Sequence, residues 1–447
     1  MVVIGAGVAG LAAAHALRQR AARERRPLDL LVLEAAPRAG GHIGTLREDG
    51  FLVESGPNGF LSGEPATEGL IEELGLGSRL IEAGPESRRR FLVRRGRLRR
   101  LPLGPLGLLT TRSLSLRGRL RVVLEPWVRS KPQQEEESVF EFGRRRFGRE
   151  AAETLADAVV AGTSAGQATS LSMGASYPAL LEMERRHGSV VRGMIARRRS
   201  GAPVQVLRSF AGGMGTLTEG LAGEVGPALS LDDAATRLTR NGSSWRVERS
   251  RGEPVTGDAL LLALPAAGAA PLLDSCDPVL ATAVRGVPSA GLAAVAFAWR
   301  AGDLGRRLDG YGYLVPARER MLTLGMVWES SLFPGRAPSG WVLVRMMLGG
   351  AREPEAATLA RDELLRRAET EAARFLRSRR PPARAWVFRW PAAIAQYTRG
   401  HRERVATIRR AAAALGGLEL CGSSYDGISL NAAVASGVAA AARVALA

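Results

Sequence analysis

Hydrophobic periodicity switches twice near the start of the chain. Met1-Val2-Val3-Ile4 is a continuous apolar run, Val8 to Arg23 spaces its apolar residues along one helical face, and Leu28 to Leu33 returns to a run that suits a strand. The order strand, helix, strand predicts one βαβ unit. Near the other end, Leu418-Glu419-Leu420-Cys421-Gly422 reads as a short buried strand and Asn431 to Ala445 as a helix of small residues. The run Ala259 to Leu264 has no polar member, which predicts a strand buried on both faces of a parallel sheet, ended by Pro265. Together these segments predict a parallel α/β domain assembled from both chain ends, with other domains inserted between them.

The inserted stretches carry other patterns. From about Arg88 to Arg199 the chain is basic and helical, with segments Leu116 to Trp127, Ser138 to Phe147, Glu150 to Val160 and Tyr177 to Arg199; Pro102, Pro105, Pro126 and Pro132 interrupt its first part. Leu101 to Trp127 alternates Leu and Val clusters with Arg112, Arg117, Arg119 and Arg121, a pattern shared by a helix in a membrane interface and by an amphipathic helix against a core. Val204 to Leu264 returns to strands, with Trp245-Arg246-Val247 as one arm of a hairpin after Asn241-Gly242. Leu292 to Leu348 is rich in aromatic and β-branched residues and precedes a helix, Glu355 to Leu376, so a mixed sheet with covering helices is expected there.

Composition narrows the class. A chain of 447 residues exceeds one compact core, so two or three domains are expected. The net charge of +18 invites a nucleic-acid partner, but Lys131 is the only lysine and the arginines are interleaved with glutamates, the pattern of a solvated basic surface. No nucleic acid is expected; attraction to an anionic membrane surface or to acidic substrate groups remains open. Cys276 and Cys421 cannot build a disulfide framework, and His15, His42, His187 and His401 do not stand at ligand spacing, so a reducing compartment and no metal are expected. The first residues already read as a strand, so no secretory signal is expected, and no uninterrupted apolar run reaches the ~18 residues of a bilayer span.

Gly5-Ala6-Gly7-Val8-Ala9-Gly10 lies between the first strand and the first helix, the context in which GxGxxG carries a mechanism. Gly5 permits the turn, Gly7 lets backbone approach a pyrophosphate, Gly10 lets helix pack on strand, and the helix N-terminus supplies N–H groups. Glu34 ends the second strand 24 residues past Gly10, near the spacing of about 20 for a carboxylate that binds ribose hydroxyls. Ala35 follows it, and Arg38-Ala39-Gly40-Gly41-His42 then offers a second close backbone approach, which separates FAD from a nicotinamide dinucleotide.

Taken with Phe51-Leu52-Val53-Glu54-Ser55-Gly56-Pro57-Asn58-Gly59-Phe60, this stretch resembles the FAD domain of the flavin-containing amine oxidase and porphyrinogen oxidase superfamily. Within it the chain is most similar to the protoporphyrinogen oxidase family. That resemblance is carried by Arg88-Arg89-Arg90-Phe91-Leu92-Val93, Ser209-Phe210-Ala211-Gly212-Gly213-Met214, Gly310 to Pro316, Ser331 to Arg336, Met347 to Arg352, Arg389-Trp390-Pro391, Gln396 to His401 and Gly422 to Asn431. It implies an α/β plus α+β fold: a Rossmann-like FAD-binding domain in three parts (1–87, 200–270, 389–447), an inserted helical membrane-associating domain (88–199) and a mixed-sheet substrate domain (271–388). It implies Arg90, Gly162, Leu314, Val327 and Met347 at the substrate. Gly41, His42, Gly56, Pro57, Asn58, Gly59, the main chain of Ala235, Trp390, Ile428, Ser429 and Leu430 would join the first glycine turn, Glu34 and Ala35 at the FAD. Departures from the family's pattern stand at His42, Ser164, Ala395 and Ala432-Ala433-Val434.

The activity implied is FAD-dependent oxidation of protoporphyrinogen IX to protoporphyrin IX with oxygen as acceptor, in haem or chlorophyll synthesis. The flavin supplies the hydride-acceptor chemistry, so no catalytic side chain is expected. Arg90 would pair with a propionate while the apolar residues pack the macrocycle. A cytoplasmic enzyme, peripheral on the inner face of the inner membrane, is implied, and a homodimer is left open. The rivals are coproporphyrinogen oxidation, another flavin oxidase or desaturase of the superfamily, and a non-catalytic flavin or porphyrin carrier. An amine oxidase would place a lysine by the flavin, and Lys131 lies in a polar loop.

Overall fold

A computed structural model describes residues 1–101, 107, 111–130, 136–201 and 203–445. Five short strands form a parallel sheet in the order Leu229–Ser230, Leu31–Leu33, Val2–Ile4, Leu260–Leu262, Leu418–Leu420. Both ends of the chain and its middle meet in this sheet, as the apolar runs require: Val3, Val32, Leu261 and Leu262 are fully buried between covering layers. The helix Val8–Glu24 packs against the helix Leu430–Arg443 so closely that a Cβ on Gly437 would stand 2.1 Å from the Ala9 carbonyl oxygen. Small residues on both helices make that approach possible.

The second sheet has seven strands, in the order Arg384–Ala395, Ser289–Arg300, Trp341–Gly349, Thr323–Val327, Gly312–Leu314, Arg90–Arg94, Arg97–Arg100. One face, carrying Val295, Tyr313, Met326 and Met346, is sealed by the helix Arg361–Leu376 through Leu364, Ala368, Ala372 and Phe375. The other face looks toward the first domain and the helical region.

Several expected boundaries move. The second strand begins at Leu31 rather than Leu28, and the helix expected from Glu355 begins at Arg361, after a separate turn at Pro354–Ala357. Tyr177 to Arg199 is two helices, Pro178–His187 and Val190–Arg199, because Gly188 takes a left-handed conformation at φ +66° between them. The helix from Leu116 stops at Val123, and Pro126 sits in a short turn, Glu125–Trp127. The stretch expected as Glu150 to Val160 continues to Ser164, with a π-helical turn over Ala152–Ala156.

Two domain borders also shift. Arg90–Arg94 and Arg97–Arg100, expected in the helical insert, hydrogen-bond into the seven-stranded sheet, and Arg384–Ala395 runs through the border expected at residue 389 as one edge strand. In both cases the ladder continues where the sequence shows only a change of composition. Part of the segment 101–127 lies outside the described residues, as does Lys131.

The helical region is held by buried charge. Arg146 pairs with Glu125 and Glu184, and Glu125 also accepts from the Ser189 hydroxyl and the Val190 N–H at 3.0 Å. This node ties the Glu125–Trp127 turn to three helices, beside an apolar cluster of Val139, Phe142, Val160, Leu171 and Val190.

Candidate cofactor cradle and substrate face

The glycine turn has the shape its spacing predicts. Gly5 sits at φ +100°, its N–H donates to the Leu33 carbonyl at 2.8 Å, and a Cβ on Gly10 would lie 1.9 Å from the Gly5 oxygen. Gly7 is the contrast: a Cβ there would meet nothing within 4 Å. It N-caps the first helix with no side-chain hydrogen bond, so the first-turn N–H groups are left for an outside acceptor. The Gly40 N–H donates to the Ala6 carbonyl at 2.8 Å, and Gly41 at φ +56° lies against Gly7. Two glycine turns therefore share one open edge, a cradle for a diphosphate.

Glu34 is placed beside that edge. Its carboxylate accepts from the Ala6 N–H at 2.7 Å and the Ala36 N–H at 3.0 Å, while Ala35 between them is exposed. The segment leading to Ala235 is tied to the same turn, with the Asp233 N–H donating to the Glu34 carbonyl at 2.8 Å and the Asp232 N–H to the Ala36 carbonyl at 3.1 Å.

A second group of predicted residues gathers further along. A Cβ on Gly56 would be 2.1 Å from the His42 carbonyl oxygen. The Ser55 hydroxyl donates to the Gly44 carbonyl at 3.0 Å, and the Trp390 indole N–H donates to the Ser55 carbonyl at 2.8 Å. The indole meets the His42 ring edge-on, with centroids 4.8 Å apart. Burial, and then Arg38, lower the His42 pKa, which keeps the imidazole neutral. Pro57 leads to Asn58, whose amide donates to Glu329 at 3.4 Å, and Gly59 passes the Arg208 carbonyl too closely for a side chain.

The last predicted loop, Ile428 to Leu430, starts the C-terminal helix, with the Ser429 hydroxyl capping the Ala432 N–H at 3.1 Å. It is fixed by a residue that sequence reasoning quoted but did not assign: the Tyr397 hydroxyl donates to the Ser423 carbonyl at 2.8 Å and accepts from the Gly427 N–H at 2.6 Å.

Strand register brings the predicted substrate residues together. Leu92, Leu314, Gly325, Met347, Ala294 and Phe388 form one row across six strands, and Arg90, Gly312, Val327, Arg345, Ala296 and Trp386 form the next. Both rows lie on the face away from the sealed core. Leu314, Val327 and Met347 are half-buried, and Gly325 and Ala294 leave a shallow floor between the larger side chains. Gly162, from the helix Asp157–Ser164, comes over this floor: a Cβ there would be 2.3 Å from the Leu314 Cδ2. Arg90 is exposed at the edge of the floor, its guanidinium 4.7 Å from the Tyr311 ring centroid.

Sequence reasoning missed two buried ion pairs under the Ser55–Asn58 loop, Arg345 with Glu329 at 2.8 Å and Arg336 with Glu54 at 3.3 Å. A readable signal existed: Arg345 stands alone in the apolar strand Trp341–Gly349. Burial raises the Glu54 pKa, against the pull of Arg336, the Thr45 hydroxyl and the Met214 N–H.

The family described as flavin containing amine oxidoreductase matches residues 8–445. The chain belongs to it. Curated relatives of this flavoprotein include protoporphyrinogen oxidase of Bos taurus, 30% identical and aligned over 99% of this chain and 98% of its own. Coproporphyrinogen III oxidase of Bacillus subtilis is 27% identical over 98% of this chain and 96% of its own. A crystal structure from Exiguobacterium sp. 255-15, whose name proposes a protoporphyrinogen oxidase, superimposes with a TM-score of 0.86 at 25% identity, covering 99% of this chain and 97% of that one.

The flavoprotein is thus an FAD-dependent oxidoreductase, and its residues fit the cofactor. The shared edge of the two glycine turns and the uncapped helix N-terminus suit the diphosphate, Glu34 suits a ribose, and His42, Gly56 to Gly59, Trp390 and Ile428 to Leu430 suit the ring system. Membership in an oxidoreductase family removes the non-catalytic carrier from consideration.

Proposed function

We propose that this flavoprotein oxidises protoporphyrinogen IX to protoporphyrin IX, with oxygen as acceptor. One observation supports this above the others: a broad apolar floor of Leu314, Gly325, Met347 and Ala294 runs beside the exposed cation Arg90. A flat macrocycle with propionates needs that combination, apolar area for its ring and a guanidinium for a carboxylate. Bound FAD supplies hydride-acceptor chemistry. The chain's own part is to orient the ring: Leu314, Val327 and Met347, with the Gly162 backbone packed beside Leu314, line one apolar wall, and Arg90 sets the direction of the propionate edge.

Coproporphyrinogen is the second reading, favoured by the name of the Bacillus subtilis relative. It shares the chemistry and differs in the number of carboxylates. Anaerobic titration of the purified flavoprotein separates the two: protoporphyrinogen bleaches the flavin band at lower concentration than coproporphyrinogen, and readmitting air restores the band. Bleaching by neither porphyrinogen rules out both.

The resemblance also implies attachment to a membrane face, and one patch supports it. Leu116 is 74% exposed and Trp127 71% exposed, with Leu120 and Leu124 between them and Arg117 and Arg121 on the same short segment. Met194 and Ile195 add apolar surface on the helix Val190–Arg199, itself rich in arginine. Such a surface suits the interface of an anionic bilayer, on the cytoplasmic face of the inner membrane. Among the described residues no helix is long and apolar enough to cross one.

A further inference from the structure

The loop Ser55 to Asn58 joins the cofactor cradle to the substrate face, and it rests on charge rather than on apolar packing. Arg345 is 2% exposed and Glu329 1% exposed, and the Arg345 Nε donates to Glu329 at 2.8 Å. The same guanidinium reaches up to donate to the Gly56 carbonyl. Glu329 in turn accepts from the Asn58 amide at 3.4 Å. A single strand residue therefore holds both ends of the Gly56–Asn58 segment, one directly and one through Glu329. On Gly56 itself a Cβ would meet the His42 carbonyl at 2.1 Å, so the backbone there lies directly against the His42 main chain.

An ion pair this deep is expensive to bury, and an apolar pair of similar volume would fill the strand face as well. What apolar side chains cannot supply is a forked donor that satisfies a carboxylate and a main-chain carbonyl together. We propose that Arg345 and Glu329 are positioning residues for the cofactor: they fix the Gly56–Asn58 loop against the substrate face and so set where the isoalloxazine lies above the Leu314–Met347 floor. The inference rests on the FAD assignment and is independent of which porphyrinogen is oxidised.

The test uses the full-length protein stripped of FAD and reconstituted, with two variants. Arg345→Lys keeps a charge for Glu329 but cannot fork to Gly56; Glu329→Gln with Arg345→Met removes both charges at similar volume. In each, the FAD dissociation constant, followed by quenching of flavin fluorescence, rises about tenfold or more, the loss of one charge-assisted hydrogen bond. The vibronic structure of the bound flavin's visible band blurs, and kcat falls more than KM rises, while the apoprotein unfolds at an unchanged midpoint. If the double variant does not fold, Arg345→Lys decides alone. An FAD affinity and flavin spectrum like those of the wild type overturn the proposal, whether or not the apoprotein is destabilised, since the pair would then serve the fold only. Absence of porphyrinogen turnover by the wild-type holoprotein would count against the substrate assignment alone, because the FAD affinities of the variants still decide this proposal.

Discussion

His401 makes the Ser423–Gly427 turn sensitive to acid. Its ring stacks on Tyr397 with centroids 3.8 Å apart and planes 14° apart, and it is 2% exposed. Burial, and secondarily Arg404, lower its pKa from 6.5 to about 4, although Tyr425, Glu136 and Asp426 pull the other way. A depressed histidine pKa means that the unfolded chain binds the proton first. The stabilisation is fully present above the unfolded value of 6.5 and is lost as pH falls toward about 4. A shift of this size corresponds to about 3 kcal/mol of stability lost between neutral pH and pH 4. His401→Phe keeps the stacking and removes the titration. In urea unfolding followed by tryptophan and flavin fluorescence, the variant should gain about 3 kcal/mol on the wild type as pH falls over that window. Because Tyr397 pins the Ser423–Gly427 turn, wild-type FAD should also be released at a higher pH than the variant's. Parallel stability curves for the two proteins from pH 7 down to about pH 4 would refute the reasoning.

Two further outcomes are expected. Arg90→Ala removes an exposed guanidinium that lies on the Tyr311 face, so the flavin spectrum and thermal midpoint stay put while KM for the porphyrinogen rises about tenfold, the scale of one charge-assisted contact; an unchanged KM takes Arg90 out of the substrate site. Leu116→Ser, Leu120→Ser and Trp127→Ser together should abolish co-flotation with anionic phospholipid vesicles, and wild-type flotation should weaken as salt rises. Equal flotation of the two proteins would show that this patch is not the membrane contact.

The glycine turn, the first helix and the buried parallel strands were legible because each is local: a run of apolar residues between turn signals has one period and one environment. The flavin motifs were legible for the same reason, since close backbone approach demands glycine at Gly5, Gly10 and Gly56 whatever surrounds them. Helix ends were less so. Gly188 splits an unbroken helical pattern, and Pro354–Ala357 detaches from the helix that follows it.

The primary structure alone determined the cofactor and the parallel dinucleotide domain built from both chain ends. Only the tertiary structure decided that residues 90–100 complete the seven-stranded sheet, that Arg90, Leu314, Val327 and Met347 share one face, and that Arg345 and Glu329 pair beneath the Gly56–Asn58 loop. The physical reason is range. Periodicity and turn chemistry act over a few residues, whereas strand register and the partners of a buried charge are set by segments hundreds of positions apart, and no local pattern encodes which of them will meet.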